Sequence, residues 1–256
     1  MPYRHAHWAL LLLLAPMVGT AFWRDYFGNL GGASFAFHAH GLTAIAWLTL
    51  IAVQSWSAHS KRLALHRKTG LALFAAVPLF VAGSVLVYHS MAVKYLAGHP
   101  FYSRFGPMLG MHDLISTIAL VAMVALALKH RRRVGVHAGY MLATVLLVLP
   151  PVIERLPLPF STPAYLRLSE LLPMLLALAL AARNRRSAEP MLVVAALLAL
   201  QTVQFFTFGA SEGWARAFGA AASLNGVPLA LVAVLLASLS LLALRTGWTA
   251  GRRPST

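Results

Sequence analysis

Apolar runs of roughly twenty residues recur along the whole chain, and no other feature restricts its fold so severely. In hydrocarbon each backbone N–H and C=O has to be paired within the protein, which leaves only helices and closed barrels. Runs of this length match helices that cross a bilayer, so the sequence predicts an all-α membrane protein. Eight spans are expected, at about Trp8–Trp23, Phe35–Trp56, Thr69–Tyr88, Met108–Leu128, Ala138–Ile153, Tyr165–Ala182, Met191–Phe208 and Val227–Leu244. Residues 1–256 then form a single integral membrane domain, with a four-helix core at 35–155 and three further helices at 165–245. Only 11% of residues are charged, and none of the polar stretches is long enough to be a separate soluble domain. The lipid bilayer is the first partner this composition implies.

A formal net charge of +15 could suggest nucleic acid, but the placement of the basic residues argues for lipid and topology instead. Fifteen of the 21 lysines and arginines fall in one alternating set of loops. That set contains Arg4; Lys61, Arg62, Arg67 and Lys68; Lys129 and Arg131 to Arg133; Arg183, Arg185 and Arg186; and Arg245, Arg252 and Arg253. The opposite set holds Arg24, Lys94, Arg104, Arg155, Arg167 and Arg216. The positive-inside rule places both termini in the cytoplasm, and an even number of spans agrees with it. Arg4 ahead of the apolar run from Trp8 to Val18 resembles a signal peptide, yet no A-x-A cleavage pattern follows. A retained first helix is expected. Arginine outnumbers lysine, and alanine and leucine dominate the spans, which suits a bacterial inner membrane protein from a GC-rich source. Cysteine is absent, which excludes disulfides, thiolate metal sites and cysteine nucleophiles together.

Within this frame the histidines keep a rhythm. His40, His59 and His66 are echoed by His112, His130 and His137; the short gap has six intervening residues in both copies and the long gap differs by one. Each copy is an apolar helix, a basic loop and another apolar helix, with Pro78 and Pro150 about a dozen residues after the last histidine. On the expected topology the copies are parallel, related by an axis along the membrane normal. His40 and His112 then lie near the outer ends of spans two and four, and His66 and His137 at the inner ends of spans three and five. Neutral imidazole is the commonest metal ligand, and haem iron takes it axially. Two pairs at two depths, roughly 25–40 Å apart along span two at ~1.5 Å per residue less the reach of the side chains, match two stacked bis-histidine haems. Trp47 and Gln54 follow His40 in steps of seven, and Ser116 follows His112 at helical spacing. Gly70 and Gly139 are small enough to admit a flat macrocycle, and equally suited to plain helix packing. His38 points away from His40 on a helix, and His59 and His130 read as loop residues. An unliganded interfacial role stays open for each histidine singly.

Other polar groups offer alternatives. Asp113 is either an acceptor that orients His112 or a first-turn acid favoured by the helix dipole. Glu154 with Arg155, and Arg167 with Glu170, are expected as interfacial ion pairs or as the rim of a pocket for a small-molecule electron donor or quinone. Gln201 and Gln204 suit interhelical hydrogen bonds. A second metal reading gathers His38, His89, Asp113 and Met111 at the outer mouth, where imidazole, thioether and carboxylate suit copper, zinc or iron. No HExxH and no glycine-rich phosphate loop is present, so metalloprotease and nucleotide-driven chemistry lack their signatures. A third reading is a cofactor-free bundle acting in assembly or sensing.

The segment HAHGLTAIAWLTLIAVQSWSAHSKRLALHRKTG resembles a motif of uncharacterised bacterial multi-pass membrane proteins. In these a helix opens with histidine and ends near glutamine, and a LHR-x-x-G turn begins the next helix. VHAGYMLATVLLVLPPVIER is similar to their second signature, and together the resemblance covers about Phe35 to Arg155. The ligand order, span two with four and three with five, also resembles the ascorbate-reducing two-haem transmembrane cytochromes b. That resemblance implies haem b held by His40 with His112 and by His66 with His137, and a transmembrane oxidoreductase passing electrons through or within the bilayer. The chain differs from those cytochromes in its shorter ligand spacing and its extra C-terminal helices, so the resemblance implies one haem or two.

Overall fold

The computed structural model describes residues 3–157 and 162–250, apart from the side chains of 162–168 and 244–250. Among the described residues every regular element is helical. In chain order these are α1 (Ala6–Ala21), α2 (Phe35–His59), α3 (Leu63–Gly70), α4 (Leu73–Leu96), α5 (Pro100–Lys129), α6 (Val134–Ile153), α7 (Thr162–Arg183), α8 (Glu189–Phe206), α9 (Glu212–Ala220) and α10 (Gly226–Ala250). Six of them, α2, α4, α5, α6, α8 and α10, are long and apolar enough to cross a membrane. The shorter α1 and the helix α7 stand where the other two expected spans were placed.

Local chemistry explains where boundaries differ from the sequence reading. α5 starts at Pro100, eight residues before the expected Met108, because His99 caps it: its Nδ1 accepts from the Phe101 N–H at 3.3 Å, and Pro100 needs no partner in the first turn. His112 therefore lies three turns inside the helix, and Asp113 is not a first-turn acid. α1 carries a π-helical segment at Leu10–Leu14, a register change no hydropathy pattern reveals. α6 breaks after Leu146 and resumes at Leu149, where Pro150 and Pro151 interrupt the ladder of hydrogen bonds. His59 is the last residue of α2 rather than a loop residue.

The core is a ring of four helices. α2 packs along α4, α4 on α5, and α5 on α6. Trp47 closes the ring from α2 by donating its indole N–H to Thr144 Oγ1 of α6 at 3.2 Å, both residues being fully buried. Among the described residues α2 has no sustained packing on α5, nor α4 on α6, so these pairs stand across the ring from one another. α10 covers α4, α8 covers α5 and α6, α7 lies on α8, and α1 flanks α2. The outward faces of α10 and α7 expose Leu231, Leu235, Leu239, Leu172 and Leu175, a surface that suits acyl chains and not water.

Candidate functional site

One end of the ring carries the basic loops, and the hairpins there are built alike. A turn with Lys61 in the left-handed region (φ 59°) joins α2 to α3, and residues 130–133 join α5 to α6. His66 is the fourth residue of α3 and His137 the fourth of α6. Their backbone N–H groups donate to Arg62 O (3.0 Å) and Arg133 O (2.9 Å). Each ring then folds back onto the preceding long helix. His66 Nδ1 bonds to Gln54 O at 3.2 Å, and His137 Nδ1 to Ala127 O at 2.8 Å. A carbonyl only accepts, so the proton sits on Nδ1 in both, and the Nε2 lone pair is left uncommitted.

The opposite end repeats the device with side chains as partners. His40 Nδ1 meets Ser84 Oγ of α4 at 3.4 Å, and its ring lies 5.2 Å from that of Phe80. A Cβ on Gly83 would come within 2.8 Å of His40 Cα, so the two backbones approach as closely as glycine allows. His112 Nδ1 meets Glu170 Oε1 of α7 at 3.2 Å. Gln201 of α8 secures the neighbourhood by donating to Ser116 Oγ (2.6 Å) and to His112 O (3.4 Å). Arg155 bonds Glu154 at 2.6 Å; the guanidinium is within electrostatic reach of His40 and the carboxylate within reach of His112. His40 and His112 thus share one polar neighbourhood.

All four histidines expected as ligands engage a partner through Nδ1, and among the described residues none engages one through Nε2. The levels are equally deep in the two copies. Gln54 follows His40 by 14 residues and Ala127 follows His112 by 15, about 21 and about 22 Å at 1.5 Å per residue. This is shorter than the sequence reading expected, because the inner rings reach back past the loops. Between the levels lie Trp47 and Thr144, joined and dry. The donor set suits an axial metal ligand only in part: carbonyl partners put the proton of His66 and His137 on Nδ1, while His40 meets a hydroxyl and His112 a carboxylate.

The space around the donors is less accommodating. A Cβ on Gly139 would meet Pro190 Cγ at 2.8 Å, so that glycine lets α6 and α8 pack closely, whereas one on Gly70 would make ordinary contact with Gln54 Oε1 at 3.4 Å. A cleft of about 710 Å³ opens at the His40 end and is lined by Trp23, Arg24, Asp25, Glu154 and Arg155 among others. It adjoins the His40–His112 neighbourhood and does not lie between the rings. The residues of the alternative metal site are dispersed to other tasks. His38 Nδ1 bonds Tyr26 OH at 3.0 Å, His89 Nε2 bonds Leu224 O at 2.8 Å, and Met111 is buried in the core. Asp113 lies within electrostatic reach of Tyr88 and His112. Among the described residues no group of three or more histidines and carboxylates is disposed to hold a metal ion.

The carboxylate on His112 is Glu170, not the adjacent Asp113. An acid within an apolar segment marked Glu170 as unusual, but its expected partner was Arg167, whose side chain lies outside the described residues. Gln201 makes the interhelical bonds expected of it. No protein-family model, curated protein or solved structure matches the chain.

Proposed function

We propose that the chain is a b-type haem-binding membrane protein that carries electrons between the two faces of a bilayer. It spans the bilayer eight times with both termini in the cytoplasm, which makes the basic end the inner one. One observation supports this reading above the rest: His40, His112, His66 and His137 each have Nδ1 bonded to a partner, two at each end of the helical ring. Haem, when bound, would supply one-electron chemistry that no side chain here can supply. The chain supplies the rest. Gln54 O, Ala127 O, Ser84 and Glu170 fix the four rings. Trp47 and Thr144 hold the helices together between the levels and keep water out. The cleft beside Glu154 and Arg155 gives a small-molecule donor or quinone an approach to the outer pair.

The test is haem content of the full chain purified from haem-replete cells, measured in wild type, H66A and H112A. The expected result is haem in the wild type, with each variant losing one haem and keeping the other. Wild-type protein without haem would overturn the proposal, and retention of all haem in both variants would remove these histidines as its ligands.

A further inference from the structure

We propose that residues Tyr3 to His7 form a strap that closes the seam between α2 and α6 at the basic end of the ring and lets go when that end is acidified. The proposal is independent of haem, since it uses none of the four histidines named as ligands.

At mid-depth the seam is held by the bond from Trp47 to Thr144. At the basic end the start of α1 lies across it. Tyr3 sits in the left-handed region (φ 59°), and the chain turns there so that the Ala6 N–H donates to Tyr3 O at 3.0 Å. On the α6 side the Tyr3 hydroxyl oxygen lies 3.3 Å from where a Cβ on Gly139 would stand, and Tyr3 packs on the core shared by α5, α6, α7 and α8. That hydroxyl is buried with no hydrogen-bond partner, so packing alone holds this end. On the α2 side His7 is only 8% exposed. Its Nδ1 meets Ser55 Oγ at 3.5 Å, and its ring centroid lies 6.0 Å from that of His59. The His59 Nδ1 donates to Ser55 O at 2.7 Å, and its Nε2 is buried with no hydrogen-bond partner.

No acid answers a charge on His7. α2, the long helix packed on the start of α1, brings His59 there, with Lys61 and Arg62 following, and the strap itself brings Arg4 and His5. Of the chain's six acidic residues Glu189 alone stands at this end, and it accepts from Tyr140 OH at 2.8 Å. A proton on His7 would therefore put a covered charge beside a second imidazole and among cations. Burial, with His59 and His5 as neighbours, lowers the pKa of His7, which lies just ahead of the expected span from Trp8. A released His7 regains the ordinary histidine value, so the free strap binds more protons than the docked one. Docking is then complete above that value and is lost as the pH falls below it.

The experiment is hydrogen–deuterium exchange of the full chain in detergent, read by mass spectrometry on peptides covering residues 3–9. It is run at about pH 7.5 and about pH 5.5, either side of the ordinary histidine value, with rates corrected for the intrinsic pH dependence of exchange. The Ala6 and Ala9 amides, bonded to Tyr3 O and His5 O, should be protected at the higher pH. At the lower pH they should exchange faster, by up to about tenfold per pH unit for each proton taken up. H7Q, neutral throughout, should be slow at both. Should H7Q fail to fold, H59Q serves in its place: without the second imidazole the acceleration should shrink. Equal wild-type rates at the two pH values, an acceleration that the variant keeps in full, or one shared by the amides around Trp47 would each overturn the strap and leave the haem reading untouched.

Discussion

A backbone carbonyl accepts a hydrogen bond and cannot give one, and that asymmetry makes Nδ1 a protonated nitrogen in His66 and His137. Neither bond was readable from the sequence, because Gln54 and Ala127 offer only main-chain oxygens and any residue could have done so. What the sequence did show was the histidine type and spacing, which place the rings four residues into their helices. Glu170 was harder still: its partner His112 lies 58 residues away on another helix, and nothing in the local pattern connects them. Buried polar contacts of this type are sensitive to single changes. Thr144→Val should leave the Trp47 N–H unsatisfied in a dry interior and cost about 1–3 kcal/mol. A lowered midpoint of thermal unfolding in detergent would check it, with the double variant Thr144→Val/Trp47→Phe recovering part of the loss. A single variant as stable as wild type would show the bond to be dispensable.

Helix ends and close approaches decide how well each pair is placed. Six of the eight expected spans were legible as helices long and apolar enough to cross a membrane, since long apolar runs have few alternatives in lipid. Their ends were not: the start of α5 depends on His99 capping Phe101, and the break in α6 on two adjacent prolines. The structure also gives Gly83 a role the sequence hid, because closeness of α2 to α4 appears only when both helices are present. Gly83→Val should force the helices apart beside His40, with an overpacking cost of about 1–3 kcal/mol. Haem at the outer pair should fall while the inner pair keeps its haem, as a spectrum of the purified variant would show. Lys61→Val tests the other end. A β-branched residue in the left-handed region is strained by about 1–3 kcal/mol, so the α2–α3 turn should shift and weaken the inner site selectively. Lys61→Gly should be tolerated, since glycine adopts that backbone freely.

At the scale of the whole molecule the two hairpins are parallel copies of one plan, and the positive-inside rule makes the charge asymmetry of their loops a testable prediction of orientation. The chain has no cysteine, so a single introduced thiol reports its side of the membrane without background. Ser103→Cys, between α4 and the body of α5, is expected to react with an impermeant maleimide added outside intact spheroplasts. Arg132→Cys should react only after lysis. The reverse pattern would place the basic end outside and contradict the orientation. The repeat was legible from histidine spacing and loop charge. The helices α8 and α10 were expected as spans, but what they cover was not legible, nor was the short α9 whose Phe218 packs beside Gly110, because apolar runs carry no record of their neighbours.

Haem binding by His40, His112, His66 and His137 is the claim on which the rest depends. The most direct test is the visible spectrum of the protein purified from haem-replete cells, recorded oxidised and after dithionite. A Soret band that shifts on reduction, with the sharp visible bands of six-coordinate low-spin haem, is the expected result. A colourless protein, or a spectrum unchanged in the quadruple alanine variant of these histidines, would contradict it.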